Sequence, residues 1–265
     1  MSADPQYVAH DSDIAPVAAL IADPARAAIL TALLDGRPLA AGELAGLAGV
    51  SAATASAHLA RLLGGGMVSV TRQGRHRYYR LAGPEIAAVI EALAHVSPRP
   101  RPRGLRQSRQ AAALQDARTC YDHLAGRAGV ALLGALLEKK IIKPILNGCA
   151  EPAPGPVRAD GAVGTAAGAD GLPGGEFEVT SGGAGTLAAF GISLGEVRRS
   201  RRRFAGACLD WTQRRPHLNG ALGAAITARL LEQGWFERGH SRRSLRLTEA
   251  GRRGLAETFG CVIGG

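Results

Sequence analysis

Two short helical patterns and a basic hairpin follow one another within residues 39–81, and few folds accommodate that order. Residues 41–48 form the first helical pattern, which Gly49 interrupts. Ser51 can then cap a second helix over residues 51–63, because its hydroxyl can accept a hydrogen bond from a backbone N–H of the first turn. The apolar residues recur at helical spacing: Val50, Ala55, Leu59 and Leu62. The pattern predicts a helix-turn-helix whose second helix leaves one face free for a partner.

A glycine-rich break after the second helix leads into a hairpin. Residues 67–72 alternate like a half-buried strand, and Gln73-Gly74 turns the chain back into residues 75–81, which are strongly basic. Together these elements predict a mainly α fold with small β-hairpin wings, an α+β architecture. In it a helix suits the groove of a duplex and a charged hairpin suits the backbone beside it.

These motifs resemble those of the ArsR/SmtB family of winged-helix transcriptional repressors. The resemblance is carried by residues 22–26 at the head of a helix, by residues 50–62 and by the hairpin over residues 72–79, and it extends over about residues 14–96. It implies a homodimer that binds double-stranded operator DNA. It also implies release of the DNA when a metal ion, a thiol oxidation or a small molecule changes the dimer, without naming the ligand.

The residues expected to contact DNA lie on the second helix and on the hairpin. The outward face of the helix is rich in alanine, so we expect few direct hydrogen bonds to the bases. Specificity would then depend on thymine methyl contacts, on half-sites about one helical turn apart and on Arg75 or Arg77 near a narrow minor groove. The candidate DNA-binding residues are Ser51, Thr54, Ser56, His58, Arg61, Arg72, Gln73, Arg75, His76 and Arg77.

The charge of the whole chain agrees with a partner that is rich in phosphates. The 265 residues carry a formal net charge of +10, and 46% of them are apolar, which is enough for two buried cores. No stretch reaches the roughly 18 apolar residues of a membrane span, and residues 1–13 lack the features of a signal peptide. We therefore expect a cytoplasmic protein without a membrane partner. Four scattered cysteines indicate thiols, ligands or core residues rather than a disulfide framework.

The sequence divides into two regions joined by a linker. We expect a flexible tail over residues 1–13, a winged-helix DNA-binding domain over residues 14–96, a stiff Pro/Arg linker over residues 97–108 and a sensor and dimerisation region over residues 109–265.

The second region contains an internal similarity. Residues 123–138 align without a gap on residues 217–232, and eight of the sixteen positions are identical. Each half continues with strand, loop, strand and a Thr-x-x-Gly helix, which predicts two degenerate winged-helix-like repeats over about residues 118–192 and 204–260. Chance similarity in a chain rich in alanine, glycine and leucine is the alternative.

The positions where the resembled family often binds metal are poor in ligands here. Residues 43–48 contain no cysteine, and the helix over residues 84–95 offers only Glu85, Glu91 and His95. A regulatory site would therefore lie in the second region, where a Cys-x-Asp motif and a histidine introduce each repeat.

Two cysteines and two histidines form the candidate sensor site: Cys120, His123, Cys208 and His217. Thiolate and imidazole ligands suit zinc or another thiophilic metal ion. We expect Cys120 and His123 to share a helix face, and Cys208 and His217 to need a helix followed by a loop. The residues that would support the site or line a pocket are Tyr121, Asp122, Asp210 and Trp211.

Other interpretations stay open. Cys120 and Cys208 can form a redox pair or provide a reactive thiol beside histidine, the cleft lined by Tyr121 and Trp211 can bind an organic ligand, or the four residues can be structural. An enzyme is disfavoured, because the chain has neither a phosphate-binding glycine loop nor a Ser-centred nucleophile elbow. A ligand-independent architectural DNA-binding protein is a further alternative.

Overall fold

Apolar residues at helical spacing build a buried core in each of two units of the chain. The structure, a computed structural model, describes residues 12–98, 104–145 and 175–264. The first unit contains the chain up to Leu33 and Arg37–Ile86, and the second contains Leu34–Gly36 and the chain from Ala87 onward.

The first unit is a helix-turn-helix with a hairpin wing. Its described elements are α1 (Ala15–Ile21), α2 (Pro24–Leu33), β1 (Leu39–Ala40), α3 (Ala41–Ala48), α4 (Ala52–Gly64), β2 (Val68–Gln73) and β3 (His76–Leu81). The strands form one antiparallel sheet in the order β1-β3-β2. Helices α2, α3 and α4 bury apolar side chains that include Ile29, Leu30, Leu44, Leu59 and Leu62. The mainly α architecture with small sheets is confirmed.

Local chemistry explains where the two helices of the motif begin and end. Gly49 ends α3 in a left-handed conformation with φ of 66°, which costs little for a residue without a Cβ. The hydroxyl of Ser51 accepts a hydrogen bond of 3.1 Å from the backbone N–H of Thr54 and so caps α4. Because Ala55 and Leu59 are buried, the opposite face of α4 remains exposed.

The wing is a regular hairpin. Strands β2 and β3 pair in unbroken register from Val68 opposite Leu81 to Gln73 opposite His76, and Gly74 takes the turn with φ of 58°. Buried side chains lie at the base of the hairpin, whereas the side chains near the turn are exposed. The basic tip is therefore available to a partner.

The second unit begins within α5 (Pro84–Val96), whose first turn belongs to the first unit. The further described elements are α6 (Leu105–Asp116), β4 (Arg118–Cys120), β5 (His123–Ala125), α7 (Gly126–Glu138), β6 (Ile142–Pro144), β7 (Phe177–Val179), α8 (Ser181–Ala189), α9 (Leu194–Arg198), β8 (Gly206–Leu209), β9 (Pro216–Asn219), α10 (Gly220–Glu232), β10 (Phe236–Arg238), β11 (Leu245–Leu247) and α11 (Glu249–Phe259). The strands pair antiparallel as β4-β5, β6-β7, β8-β9 and β10-β11.

Two halves of the second unit have the same order of elements and share one hydrophobic core. Each half contains a hairpin, a 13-residue helix, a second hairpin and a closing helix. The hydroxyls of Thr180 and Thr248 cap the two closing helices by accepting hydrogen bonds from the N–H groups of Gly183 and Gly251. This order and these caps support our proposal that the two halves are repeats of one unit.

The glycine three residues after each capping threonine packs closely against a backbone carbonyl. A methyl group at Gly183 would lie 2.0 Å from the carbonyl oxygen of Ile141. We therefore expect Gly183→Ala to lower the free energy of unfolding by about 1–3 kcal/mol, measured by urea or thermal unfolding.

The matched control for this substitution is Gly185→Ala in the same helix. Nothing lies within 4 Å of a methyl group at Gly185. The better helix propensity of alanine should leave the stability unchanged or raise it by up to about 1 kcal/mol. Equal effects of the two substitutions would contradict the close packing of Gly183.

Several expectations concern residues outside the described ranges, among them residues 1–11 of the predicted tail and residues 146–174 of the first predicted repeat. Helix α6 begins at Leu105, inside the predicted linker, whose residues 99–103 also lie outside those ranges. Within the described ranges no helix alone has the length and apolarity to cross a membrane. Only α1 and α2 taken together meet that test, and the pair is bent by 86°.

Candidate metal centre and DNA-binding surface

The two cysteine and histidine pairs lie on two antiparallel hairpins. Cys120 in β4 is directly opposite His123 in β5, and Cys208 in β8 is directly opposite His217 in β9. Side chains directly opposite each other lie on one face of a hairpin, so each hairpin presents a thiol and an imidazole together. The expected helix face and helix-loop arrangement are therefore wrong. Residues three apart can share a helix face, but they also pair across a two-residue turn, here with Tyr121 at φ of 61°.

The two hairpins bring all four side chains to one place. One possible ligand atom from each of Cys120, His123, Cys208 and His217 lies within 4.8 Å of the other three. The two sulfur atoms are 4.0 Å apart, and the imidazole rings stack with centroids 5.1 Å apart. In a tetrahedral site with Zn–S bonds of about 2.3 Å, two sulfurs are about 3.8 Å apart. The separation of the two sulfurs is thus close to that in a tetrahedral metal site.

The cluster is buried, and several of its ring nitrogens have no hydrogen-bond partner. Cys120, His123 and His217 are buried, and Cys208 is half-buried. Among the described residues, Nε2 of His123 and both ring nitrogens of His217 have no hydrogen-bond partner. Each such buried group costs about 1–3 kcal/mol. A purely structural role therefore accounts poorly for the two histidines, whereas a metal ion would satisfy one nitrogen of each ring.

A carboxylate accompanies each histidine. An oxygen of Asp122 lies 3.4 Å from Nδ1 of His123, and an oxygen of Asp210 lies 3.7 Å from Nδ1 of His217. Burial alone would raise the pKa of both carboxyl groups, but neighbouring cations and hydrogen-bond donors outweigh it and lower each pKa to about 2. A carboxylate beside Nδ1 orients an imidazole and leaves Nε2 for a metal ion.

Contacts within the cluster also shift the protonation of its own members. The hydrogen bond with Cys208, together with burial, raises the pKa of the Cys120 thiol to about 12. Burial would lower the pKa of His123, but Cys120 and Asp122 outweigh it and raise that pKa to about 9. A metal ion would have to displace the proton of Cys120, because the thiolate is the form that binds metals.

Each histidine of the cluster is packed against the helix of the other half. A methyl group at Gly129 of α7 would lie 3.4 Å from Cβ of His217, and one at Gly223 of α10 would lie 3.4 Å from Cβ of His123. The absence of a side chain at these two positions lets each helix approach the opposite hairpin. Helices α7 and α10 thereby support the two hairpins from opposite halves.

Two arginines that sequence reasoning missed complete the surroundings of the cluster. Arg118 pairs with Asp210 at 3.0 Å, and Arg202 donates to Asp122 at 3.1 Å. Their acidic partners lie far away in the sequence, so no local spacing predicts these ion pairs. The one available signal is the alternation of β4, which places Arg118 on the same face of the strand as Cys120.

The predicted DNA-binding residues lie mostly on the exposed surface of the first unit. Exposed side chains are Ser51, Thr54, Ser56, Arg61, Arg72, Gln73, Arg75, His76 and Arg77. His58 differs, because its side chain is only 14% exposed and its Nδ1 lies 3.8 Å from a carboxylate oxygen of Asp23. Asp23 at the start of α2 thus draws His58 away from the outward face of α4, and we correct its assignment as a base-contacting residue.

The aromatic residues expected to line an organic pocket lie elsewhere. Tyr121 occupies a hairpin turn, and the ring of Trp211 lies beneath the guanidinium of Arg118 at 5.0 Å. The second unit has a cavity of about 1000 Å³ that neither residue lines. Its lining includes six arginines: Arg106, Arg109, Arg127, Arg238, Arg246 and Arg252.

The chain is similar to known transcriptional regulators. The family model described as a helix-turn-helix domain matches residues 21–71. The chain is 41% identical over 241 residues to the uncharacterized HTH-type transcriptional regulator YdfF of Bacillus subtilis, a match that covers 91% of this chain and 94% of YdfF. It is also 38% identical over 87 residues to the HTH-type transcriptional regulator CmtR of Mycobacterium tuberculosis, covering 33% of this chain and 73% of CmtR.

Solved structures match over part of the chain. The NMR structure of the cadmium metal-sensor CmtR from Mycobacterium tuberculosis is 34% identical and superposes on 34% of this chain and 97% of that chain, with a TM-score of 0.28. The match to the regulator YdfF covers nearly the whole length of both chains. The winged helix-turn-helix motif lies in the first unit. The chain therefore belongs to the ArsR-family winged helix-turn-helix transcriptional regulators, which are DNA-binding proteins and not enzymes.

Proposed function

We propose that this regulator is a homodimeric cytoplasmic repressor whose binding to operator DNA is gated by a metal ion. The ion is held by Cys120, His123, Cys208 and His217. The observation that carries the proposal is the convergence of four donor atoms within 4.8 Å from two hairpins that are far apart in the sequence. The match to the regulator CmtR, whose structure is described as that of a cadmium metal-sensor, adds support.

The donor set favours a thiophilic ion. Two thiolates and two imidazoles are soft and borderline ligands, which suit zinc and its heavier relatives better than magnesium or calcium. Two thiolates also neutralise the charge of a divalent cation, so the buried site would carry no net charge once loaded. Neutrality matters here because an uncompensated charge in a buried position is costly.

The protein groups around the cluster are arranged to hold the ligands in place. Asp122 and Asp210 orient the imidazoles, and α7 and α10 support the histidines from behind. A bound ion would join β4-β5 to β8-β9 and so lock one half of the second unit to the other. We expect this cross-link between the two halves to change the affinity for DNA.

DNA binding is assigned to the first unit. Helix α4 offers an exposed face of small side chains to the major groove, and the wing offers Arg75 and Arg77 to the phosphates or to the minor groove. The net charge of +10 supports association with a polyanion. Two copies of α4 in a homodimer would read two half-sites about one helical turn apart.

The thiol-chemistry alternative is supported by the 4.0 Å between the two sulfur atoms, which would have to approach to about 2 Å to form a disulfide. However, a disulfide would leave Nε2 of His123 and both ring nitrogens of His217 without a hydrogen-bond partner, whereas a metal ion would use one nitrogen of each ring. The metal interpretation is therefore the better one for this site.

An organic effector is a second candidate, supported by the arginine-lined cavity rather than by the cysteine cluster. A volume of about 1000 Å³ falls at the upper end of the usual range for small-molecule sites. Two of these arginines pair with acidic residues of the same lining, Arg127 with Asp116 and Arg246 with Glu237, and the remaining cations would favour a carboxylate or phosphate compound. Thermal unfolding with a panel of such compounds tests this candidate, and a stabilisation that Arg109→Ala removes would support it.

The test of metal gating is a DNA-binding titration. Double-stranded DNA selected by the protein from a random pool serves as the probe, and binding is measured with zinc-loaded and chelator-treated protein. We expect the two values of Kd to differ by roughly 5-fold to 150-fold, the usual range of coupling between two sites. Equal values of Kd, with zinc bound stoichiometrically, would show that the ion does not gate DNA binding.

A further inference from the structure

Helix α5 carries a carboxylate that is almost completely buried. Glu91 is 1% exposed, and its two oxygens contact the guanidinium groups of Arg118 and Arg243. Burial alone would raise the pKa of Glu91, but the two arginines outweigh it and keep that pKa lowered. A buried charge of this kind is retained only where partners compensate it. Glu91 is therefore fixed to two elements of the second unit, β4 and the segment before β11.

Arg118 connects this carboxylate to the neighbourhood of the metal cluster. Its side chain is fully buried, and it bridges Glu91 at 3.5 Å and Asp210 at 3.0 Å. The ring of Trp211 covers its guanidinium at 5.0 Å, which excludes water from one side. Arg118 also lies two residues before Cys120 on the same strand.

A single oxygen of Asp210 completes the chain of contacts. Oδ2 lies 3.0 Å from the guanidinium of Arg118, 3.7 Å from Nδ1 of His217 and 2.7 Å from the backbone nitrogen of Gly126. Gly126 and Arg118 lie within hydrogen-bond distance of this atom, and Nδ1 of His217 lies just beyond that distance. A stronger donor at His217 therefore weakens the hold of Asp210 on Arg118, and a weaker donor strengthens it.

We propose that Arg118 is the positioning residue that transmits metal occupancy from His217 to α5. The inference depends on the proposed metal site and adds its route of regulation. A metal ion on one ring nitrogen makes the other N–H a better donor toward a carboxylate. Asp210 then shifts toward His217. Arg118 in turn pairs more closely with Glu91, and the packing of α5 against the second unit changes. Because α5 begins at Pro84 within the first unit, the helix is continuous with the DNA-binding unit along the chain.

The series of contacts from His217 through Asp210 and Arg118 to Glu91, here called the relay, can be interrupted at Arg118. Neither carboxylate is then left without a partner. Glu91 keeps Arg243, and Asp210 keeps hydrogen bonds from Gly126, Thr212 and Gln213. Arg118→Met preserves the length and much of the volume of the side chain and removes its charge. This variant therefore tests whether Arg118 transmits metal occupancy to α5 while the four proposed ligands stay intact.

The experiment compares wild type, Arg118→Met and the control Arg199→Met, which removes an exposed arginine paired with Glu196. Zinc per chain is measured first, followed by the ratio of DNA Kd values between zinc-loaded and chelator-treated protein, with DNA selected from a random pool as the probe. We expect Arg118→Met to bind zinc stoichiometrically and to show a ratio below about twofold. The control should keep the wild-type ratio, roughly 5-fold to 150-fold.

Hydrogen exchange of the α5 amides gives a second readout that a merely structural role would not move. Zinc should change protection of α5 in wild type and leave it unchanged in Arg118→Met. If that variant does not fold, Glu91→Gln replaces it, because it weakens the same relay at its other end. An unchanged Kd ratio with zinc bound, or loss of zinc from a folded Arg118→Met, overturns the inference. A wild-type protein without zinc or without a zinc response would instead refute the proposed function.

Discussion

Serine at both Cys120 and Cys208 is expected to abolish stoichiometric zinc binding and the stabilisation that zinc gives to the protein. The two sulfurs, 4.0 Å apart, would supply the strongest bonds to the ion, and a serine hydroxyl is a poor replacement for a thiolate. At a free zinc concentration of about 1000 times Kd, binding adds about 4 kcal/mol to the free energy of unfolding. The wild-type Tm should therefore rise by several degrees with zinc, and the Tm of the double variant should not.

Metal content per chain and thermal unfolding with and without zinc measure this prediction. The matched control is Cys261→Ser, which removes another buried thiol, one whose pKa is raised to about 11 by burial and by Glu138. Cys261 lies outside the cluster, so its variant should bind zinc like wild type. Stoichiometric zinc in the double cysteine variant would exclude these thiols as ligands.

The first unit could be predicted from the sequence because its determinants are local. The cap at Ser51, the left-handed glycine at position 49 and the turn at Gly74 each act within a few residues of the chain. Apolar spacing then decides which face of α4 is buried. His58 is the exception, since it lies beside Asp23, which immediately precedes another helix, α2.

The candidate metal site shows the limit of such reasoning. The sequence identified all four members of the cluster, because the internal similarity related Cys120 and His123 to Cys208 and His217. It did not predict the hairpins, since a spacing of three is compatible both with a helix and with a two-residue turn. Nor did it predict Arg118, whose partners Glu91 and Asp210 come from distant segments and meet only in the folded core.

Removing both arginines at the tip of the wing is expected to give the largest loss of DNA affinity. Arg75 and Arg77 are exposed beside the turn, where no acidic side chain of the hairpin competes with a phosphate for them. Arg75→Ala combined with Arg77→Ala should weaken binding by roughly tenfold to a hundredfold, since about 1.4 kcal/mol per contact corresponds to tenfold. The slope of log K against log salt should fall in magnitude by about 1.8, because each lost phosphate contact removes about 0.9.

Fluorescence anisotropy with DNA selected by the wild-type protein, measured at several salt concentrations, gives both quantities. Arg199→Ala combined with Arg253→Ala removes the same charge from exposed positions of the second unit and controls for the general attraction between a cation and DNA. That control should change the slope far less than the wing variant does. Zinc binding should persist in the wing variant, because the cluster belongs to the other unit. If affinity and slope stay at their wild-type values in the wing variant, the hairpin is not part of the DNA interface.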